Sequence, residues 1–275
     1  MARLVTPPPT NTAAEWGKRL AYLACVLIPV LLLVVLLLNE REARLDRLSW
    51  NDITLSATPP MGKADFLREV RAGGRFSDTL DVSDPQLFEK LREAALRHDW
   101  VQEVARVALV PPRTIHIDLA FRTPVAKLQR GLQMHLVDRF GKLLLPLTPD
   151  QGSSLVSLVG WGERNSTDTE AMGWLAQAAM LAYQLQADLG PWNIAGIYLV
   201  REVPLDMADL RLRTKNGTFI IWQTLKGPAQ EEPSLIEKQS RLRVYQERYG
   251  SLEVPAGQLL DVRVKELMQR RPSGQ

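Results

Sequence analysis

The sequence predicts an α+β protein carried behind a single N-terminal apolar helix. Three observations predict it. An uncharged run of 19 residues occupies 20–38. A strand–helix–helix–strand–strand pattern follows over 51–123, and a longer strand-rich stretch broken by two helical patterns fills 124–264.

Residues 1–19 carry Pro7, Pro8 and Pro9 and read as an irregular tail. The run Leu20 to Leu38 would cover about 28 Å as a helix, close to the thickness of a bilayer's hydrocarbon core. Pro29 lies inside it, which a membrane helix tolerates. A cleaved leader has a shorter apolar core and a small-residue cleavage site, and Asn39-Glu40-Arg41-Glu42 offers no such site. The run is therefore expected to be a transmembrane helix that touches the lipid bilayer through residues 20–38. Basic residues tie across it, with Arg3, Lys18 and Arg19 before and Arg41, Arg44 and Arg47 after, so charge alone leaves the orientation open. Residues 39–50 form a juxtamembrane linker ending at Trp50, an interfacial residue type.

In 51–123, Asp52 to Ala57 alternates as a strand and Thr58-Pro59-Pro60 breaks it. Lys63 to Ala72 reads as a helix stopped by Gly73-Gly74. Ser83 is placed as an N-cap with Gln86 at capping-box spacing. Leu87, Leu91, Ala94 and Ala95 then fall on one face of a helix reaching about His98. Val101 to Val110 and Thr114 to Arg122 are strands joined across Pro111-Pro112-Arg113. Ile115, Ile117, Leu119 and Phe121 alternate with polar residues, as in a strand wet on one face. Two helices covering a three-stranded sheet would close this domain.

Thr123-Pro124 marks the next boundary. Met134 to Val137 and Lys142 to Leu145 flank the turn Asp138-Arg139-Phe140-Gly141, and Leu155 to Val159 is a strand. Asp168 to Leu189 is a helix with the stripe Leu175, Ala178, Leu181, Ala182 and Leu185. Ile194 to Val200 is a strand. Leu210 to Arg213 and Thr218 to Trp222 surround Asn216-Gly217, a type I′ hairpin signal. A last helix starts near Pro233, turns Leu235, Leu242, Tyr245 and Tyr249 inward and stops at Gly250. Gln258 to Val264 is the final strand, and 265–275 is a polar, basic tail.

Little here points to chemistry. Net charge is +3, too small to argue for nucleic acid. The single cysteine, Cys25, lies in the apolar run, which excludes an internal disulfide and a cysteine metal site. His98, His116 and His135 have no metal-ligand spacing, and no GxSxG, Walker A or GxGxxG occurs. Asp206 and Asp209 read as solvated carboxylates rather than a catalytic pair. Asn165-Ser166-Thr167 and Asn216-Gly217-Thr218 match the glycosylation triplet, though Asn216 is better explained by its turn. Trp100, Trp174 and Trp222 fall in predicted elements as core. No catalytic residue, metal site or cofactor is expected.

One run of motifs is more specific. Trp100-Val101-Gln102-Glu103-Val104 precedes Pro112-Arg113-Thr114-Ile115-His116-Ile117. Arg122-Thr123-Pro124-Val125-Ala126 follows, then Leu136-Val137-Asp138-Arg139-Phe140-Gly141. Later, Leu260-Asp261-Val262-Arg263 is similar to an I-D-L-R pattern. With the anchor, these motifs resemble the FtsQ/DivIB family of bitopic bacterial division proteins over about residues 20–265. The resemblance implies a cytoplasmic tail (1–19), one inner-membrane helix, a POTRA domain (51–123) and a β domain (124–264). It gives Trp100, Val101, Pro112, Thr114, Arg122, Pro124, Val125, Asp138 and Gly141 structural roles. It implies a non-catalytic scaffold that binds FtsB (DivIC)-like and FtsL-like coiled-coil proteins and, through them, acts on FtsW and FtsI in septal peptidoglycan synthesis. The binding residues it points to are Leu260, Asp261, Val262, Arg263 and Val264, with Tyr245 and Tyr249 nearby. An added strand at a sheet edge would supply the affinity. Two other readings stand beside it: a POTRA-containing membrane component of protein transport or envelope assembly, and a membrane-tethered enzyme.

Overall fold

The computed structural model describes residues 27–28, 30–31, 33–34, 47–148, 150–161, 169–202, 206–227, 231–264 and 268–270. The expected tail, most of the expected membrane span and the segment 39–46 lie outside these residues. So do Cys25, the Asn165 triplet, Lys265 and Arg271. Within the span, Leu27, Ile28, Val30, Leu31, Leu33 and Val34 are helical and exposed. Among the described residues no helix is long and apolar enough to cross a membrane. The rest is a mixed α+β fold with sheets and five helices, and it divides into two compact units.

The first unit takes its described residues mainly from 47–58, 62–98 and 103–119. Its strands are β1 (Arg47–Ser49), β2 (Ile53–Leu55), β3 (Thr79–Asp81), β4 (Val101–Val110) and β5 (Thr114–Phe121). Its helices are α1 (Lys63–Gly74) and α2 (Leu87–Leu96). A three-stranded sheet runs β2-β5-β4, with β2 parallel to β5 through Ile53 opposite Ile115 and Leu55 opposite Ile117. The alternation of β5 decides its faces: Ile115, Ile117 and Leu119 are buried. Phe66, Leu67 and Val70 of α1 and Leu91, Ala94 and Ala95 of α2 are buried too, and the two helices pack on each other. Each of the larger side chains among these contributes about 1.5–3 kcal/mol on burial.

Two local expectations are corrected here. A separate antiparallel pair, β1 with β3, has no counterpart in the sequence reading, because three residues are too few to show a period. Ser83 does not cap α2. The helix starts at Leu87, and two aspartates shape the turn before it. Asp81 Oδ1 accepts from the Ser83 amide at 3.0 Å and hydroxyl at 2.6 Å, and Asp84 Oδ1 accepts from the Gln86 amide at 2.8 Å. A carboxylate is a stronger acceptor than a hydroxyl and wins the turn. Lys90 Nζ also donates to Asp84 Oδ2 at 2.8 Å, and these bonds, led by the Ser83 hydroxyl for Asp81 and by Lys90 for Asp84, hold both carboxyls below their usual range.

The second unit, mainly residues from 120 on, is built on a nine-stranded sheet. In chain order its strands are β6 (Pro124–Arg130), β7 (Gln133–Asp138), β8 (Leu143–Leu144), β9 (Val156–Val159), β10 (Ile194–Glu202), β11 (Met207–Thr214), β12 (Phe219–Lys226), β13 (Leu259–Asp261) and β14 (Met268–Arg270). The spatial order is β14-β13-β12-β11-β10-β9-β6-β7-β8. Pairings β6/β9, β9/β10 and β12/β13 are parallel and the others antiparallel. Helices α3 (Thr169–Gln184), α4 (Gln186–Leu189) and α5 (Leu235–Tyr249) complete it. The predicted 168–189 helix is broken at Leu185, whose side chain is fully buried. Leu175, Ala178, Leu181, Ala182 and Leu185 share one core with Leu128, Leu158, Ile197, Leu210, Leu212, Trp222 and Leu242.

The hairpin between β11 and β12 differs from the predicted type I′ turn. Gly217 has φ 102°, whereas Asn216 does not take a positive φ. The amide of Gly217 donates to Thr214 O at 3.1 Å and that of Thr214 to Thr218 O at 3.0 Å, giving a three-residue loop with glycine at its bulge. Glu253 fixes this loop from the segment after α5. Its Oε2 accepts from the hydroxyls of Thr214 at 2.9 Å and Thr218 at 2.7 Å.

Candidate partner-binding edge

The matched motif residues meet at the start of the second unit. Asp138 ends β7 and is almost fully buried. Its Oδ1 accepts from the amides of Phe140 and Lys142, both at 2.9 Å, and its Oδ2 takes the Arg122 guanidinium at 2.6 Å. Arg122 also donates its amide to Trp100 O at 2.8 Å. Pro124 pairs with Asp138, and the register slips between Pro124 and Ala126, so Val125 sits in a bulge. Gly141, at φ 82°, lies so close to α3 that a β-carbon would stand 2.8 Å from Ala176 Cα. Trp100 packs with Leu136 and Leu144, and Val101 is buried. Pro112 and Thr114 lie apart from this cluster, in the first unit. Pro112 follows a cis peptide bond in the β4–β5 turn and Thr114 opens β5.

At the opposite end of the sheet the expected binding residues are present but arranged differently. Leu260, Asp261 and Val262 are fully buried, so none offers a side chain to a partner. Leu260 and Val262 belong to the core. Arg263, expected to be an exposed interface charge, is 11% exposed. Its Nε and one terminal nitrogen grip Asp261 at 3.0 Å each, and the other reaches Asp209 Oδ1 at 3.1 Å and Thr224 Oγ1 at 2.6 Å. Asp209 is paired with Arg211 at 3.0 Å and buried, which corrects its reading as solvated; Asp206 is exposed and pairs with Lys226. Burial alone would lower the Arg263 pKa. The hydrogen bonds and charge of Asp261, with Asp209 and Glu232, outweigh it and hold the group above its usual range. Glu232 continues the network: it accepts from the Thr224 amide at 2.7 Å and from Lys238 Nζ at 2.6 Å.

Helix α5 holds the exit of β13. Arg241 donates to Val262 O at 2.9 Å and to Val264 O, so the bend after β13 is set by a side chain of the helix. A capping box starts α5: Glu237 Oε2 accepts from the Ser234 amide at 2.7 Å, and Ser234 Oγ accepts from the Glu237 amide at 3.3 Å. The expected inward face is corrected at one position. Tyr245 is buried, whereas Tyr249 is 57% exposed, its ring 4.5 Å from that of Tyr245.

The last correction defines the edge itself. Residues read as a basic tail supply β14, with Leu259 opposite Arg270, Leu260 opposite Gln269 and Asp261 opposite Met268. β13 is therefore an inner strand, and β14 is the terminal strand whose outward backbone groups have no strand partner among the described residues. Met268-Gln269-Arg270 in a polar tail carries no period that could reveal a strand. Thr224 and Arg241 escaped the sequence reading because their partners Arg263 and Val262 lie 39 and 21 residues away, and Asp209 reads as solvated because Arg263 lies 54 residues away. The alternation Asp209-Leu210-Arg211 was the one available sign that a charge pair shares a strand face.

Among the described residues no group of three or more His, Cys, Asp or Glu side chains is placed to hold a metal ion. His98 contacts Glu69 at 3.0 Å, and His116 contacts the Thr54 hydroxyl at 3.0 Å. No protein-family model matches this chain, and no curated protein matches it.

Proposed function

We propose that this chain is a non-catalytic, membrane-anchored scaffold of the FtsQ/DivIB kind, acting in bacterial division. On this reading the N-terminal tail is cytoplasmic, 20–38 spans the inner membrane, and a POTRA domain and a β domain lie outside it. The observation that carries the reading is the end of the sheet. A short terminal strand presents an open backbone edge, backed by a strand whose Leu-Asp-Val-Arg residues are locked into core and ion pairs. Such an edge suits an added strand from an FtsB-like coiled-coil protein, with an FtsL-like protein beside it and FtsW and FtsI acting downstream. Specific side chains at 260–263 build the edge and the partner reads the backbone beyond them.

The test uses proline at Gln269 and, separately, at Arg270. Adjacent amides on a strand point to opposite sides, so one variant removes a bond to β13 and the other an outward donor. Capture of the FtsB-like partner is expected to fall in the outward variant while the thermal midpoint stays unchanged. Undiminished capture by both variants would rule out the edge.

A further inference from the structure

We infer that the groove beside α1 binds the phosphate-bearing headgroup of an anionic lipid; this rests on the membrane-anchored reading above. The groove holds about 570 Å³ and is lined by Trp50, Leu67, Arg68, Arg71, Arg75 and Phe76, among others. Trp50 and Phe76 meet edge to face, 5.6 Å between centroids, and the indole N–H is already spent on Ser77 O at 3.0 Å. They leave an apolar floor. Arg68, Arg71 and Arg75 follow one another at helical spacing along its rim, over about 10 Å.

The charge on that rim is available. Arg68 pairs with Asp65 at 2.7 Å and Arg71 pairs with Asp78, but these pairs are solvent-exposed. Exposed pairs are weak and exchange readily for a better acceptor, and a phosphate takes two guanidinium hydrogen bonds at once. Arg75 makes no ion pair among the described residues. It holds the left-handed conformation (φ 54°) that closes α1, a place usually taken by glycine. The amides of Arg75 and Phe76 already satisfy Ala72 O and Arg71 O, so part of the helix's negative end is covered.

Position selects the source of the phosphate. Trp50 stands twelve residues beyond Leu38, at most about 40 Å of extended chain from the end of the apolar run. Arg41, Arg44 and Arg47 lie between, and an anionic leaflet attracts those basic residues that come within about 10 Å of its surface. A free phosphate has no use for an aromatic floor, whereas a headgroup with its glycerol does.

The experiment labels Asn51→Cys in a Cys25→Ser background with an environment-sensitive dye. The full chain is placed in nanodiscs of phosphatidylcholine, with or without phosphatidylglycerol. An emission shift is expected with phosphatidylglycerol alone, lost in Arg71→Gln/Arg75→Gln and enlarged in Asp78→Asn, with unchanged melting of every variant. Equal emission in both discs, or a shift indifferent to the arginines, overturns the site. A shift reproduced by inorganic phosphate in detergent overturns the lipid assignment. A chain that fails to enter discs of either kind overturns the membrane reading, and the proposal with it.

Discussion

Arg263 sits where two carboxylates and a threonine hydroxyl converge, 54 residues from Asp209 in sequence. A glutamate there would face Asp209 and Asp261 with no cation between them. Arg263→Glu is expected to lower stability by roughly 3–5 kcal/mol, the cost of breaking a buried pair, as read by urea denaturation. Any loss of partner capture in that variant therefore reports the fold before it reports an interface. Gly141 is as demanding. Gly141→Ala combines a positive φ, costing about 1–2 kcal/mol for a residue with a β-carbon, with a β-carbon against the α3 backbone, and should destabilise by more than that, as read by urea denaturation. His135 adds a pH dependence. Burial, then the charge of Arg130, lowers its pKa in the folded state. As pH falls below the usual histidine value the unfolded chain takes up the proton first, so stability drops from about pH 6.5 downward. His135→Gln is expected to reduce the difference in thermal midpoint between pH 8 and pH 5.5.

At the scale of elements, periodicity is what made the fold readable. α3 and α5 carry an apolar stripe and β5 alternates over eight residues, while β4 is marked by its valines; with α1 and β10, each lies close to where the sequence places it. β1, β3, β8, β13 and β14 have two or three residues each and show none. β6 hides behind Pro124, which reads as a boundary although it only begins an extended strand. The candidate site fared worse than the helices for the same reason. Its edge is a three-residue strand, and the charge of Arg263 marked it as external because nothing local showed Asp209 or Thr224. The sequence reading places a capping box at Ser83, where none forms, and omits the one that does form, at Ser234 and Glu237. Ser234→Ala is expected to cost about 1 kcal/mol of stability through loss of the α5 cap, measurable by chemical denaturation. Ser83→Ala should cost less, because Asp81 and Asp84 shape that turn.

At the scale of the whole molecule, the proposed function requires an anchor, and Cys25 supplies a probe for it. A membrane-impermeant maleimide should leave Cys25 unlabelled in intact membranes and modify it once detergent is added. Equal labelling in both conditions would mean that the apolar run is not in lipid.

The parallel pairing of β12 with β13 has a consequence for biogenesis. Parallel neighbours cannot be joined by a hairpin, so the chain must cross over between β12 and β13, and α5 lies on that crossover. A chain emerging from the ribosome acquires its first unit early and its open edge last. Until β13 docks, the eight-residue β12 is the open edge in its place. On the proposed function, a partner that needs the edge of β14 would engage only a chain in which β13 already covers β12.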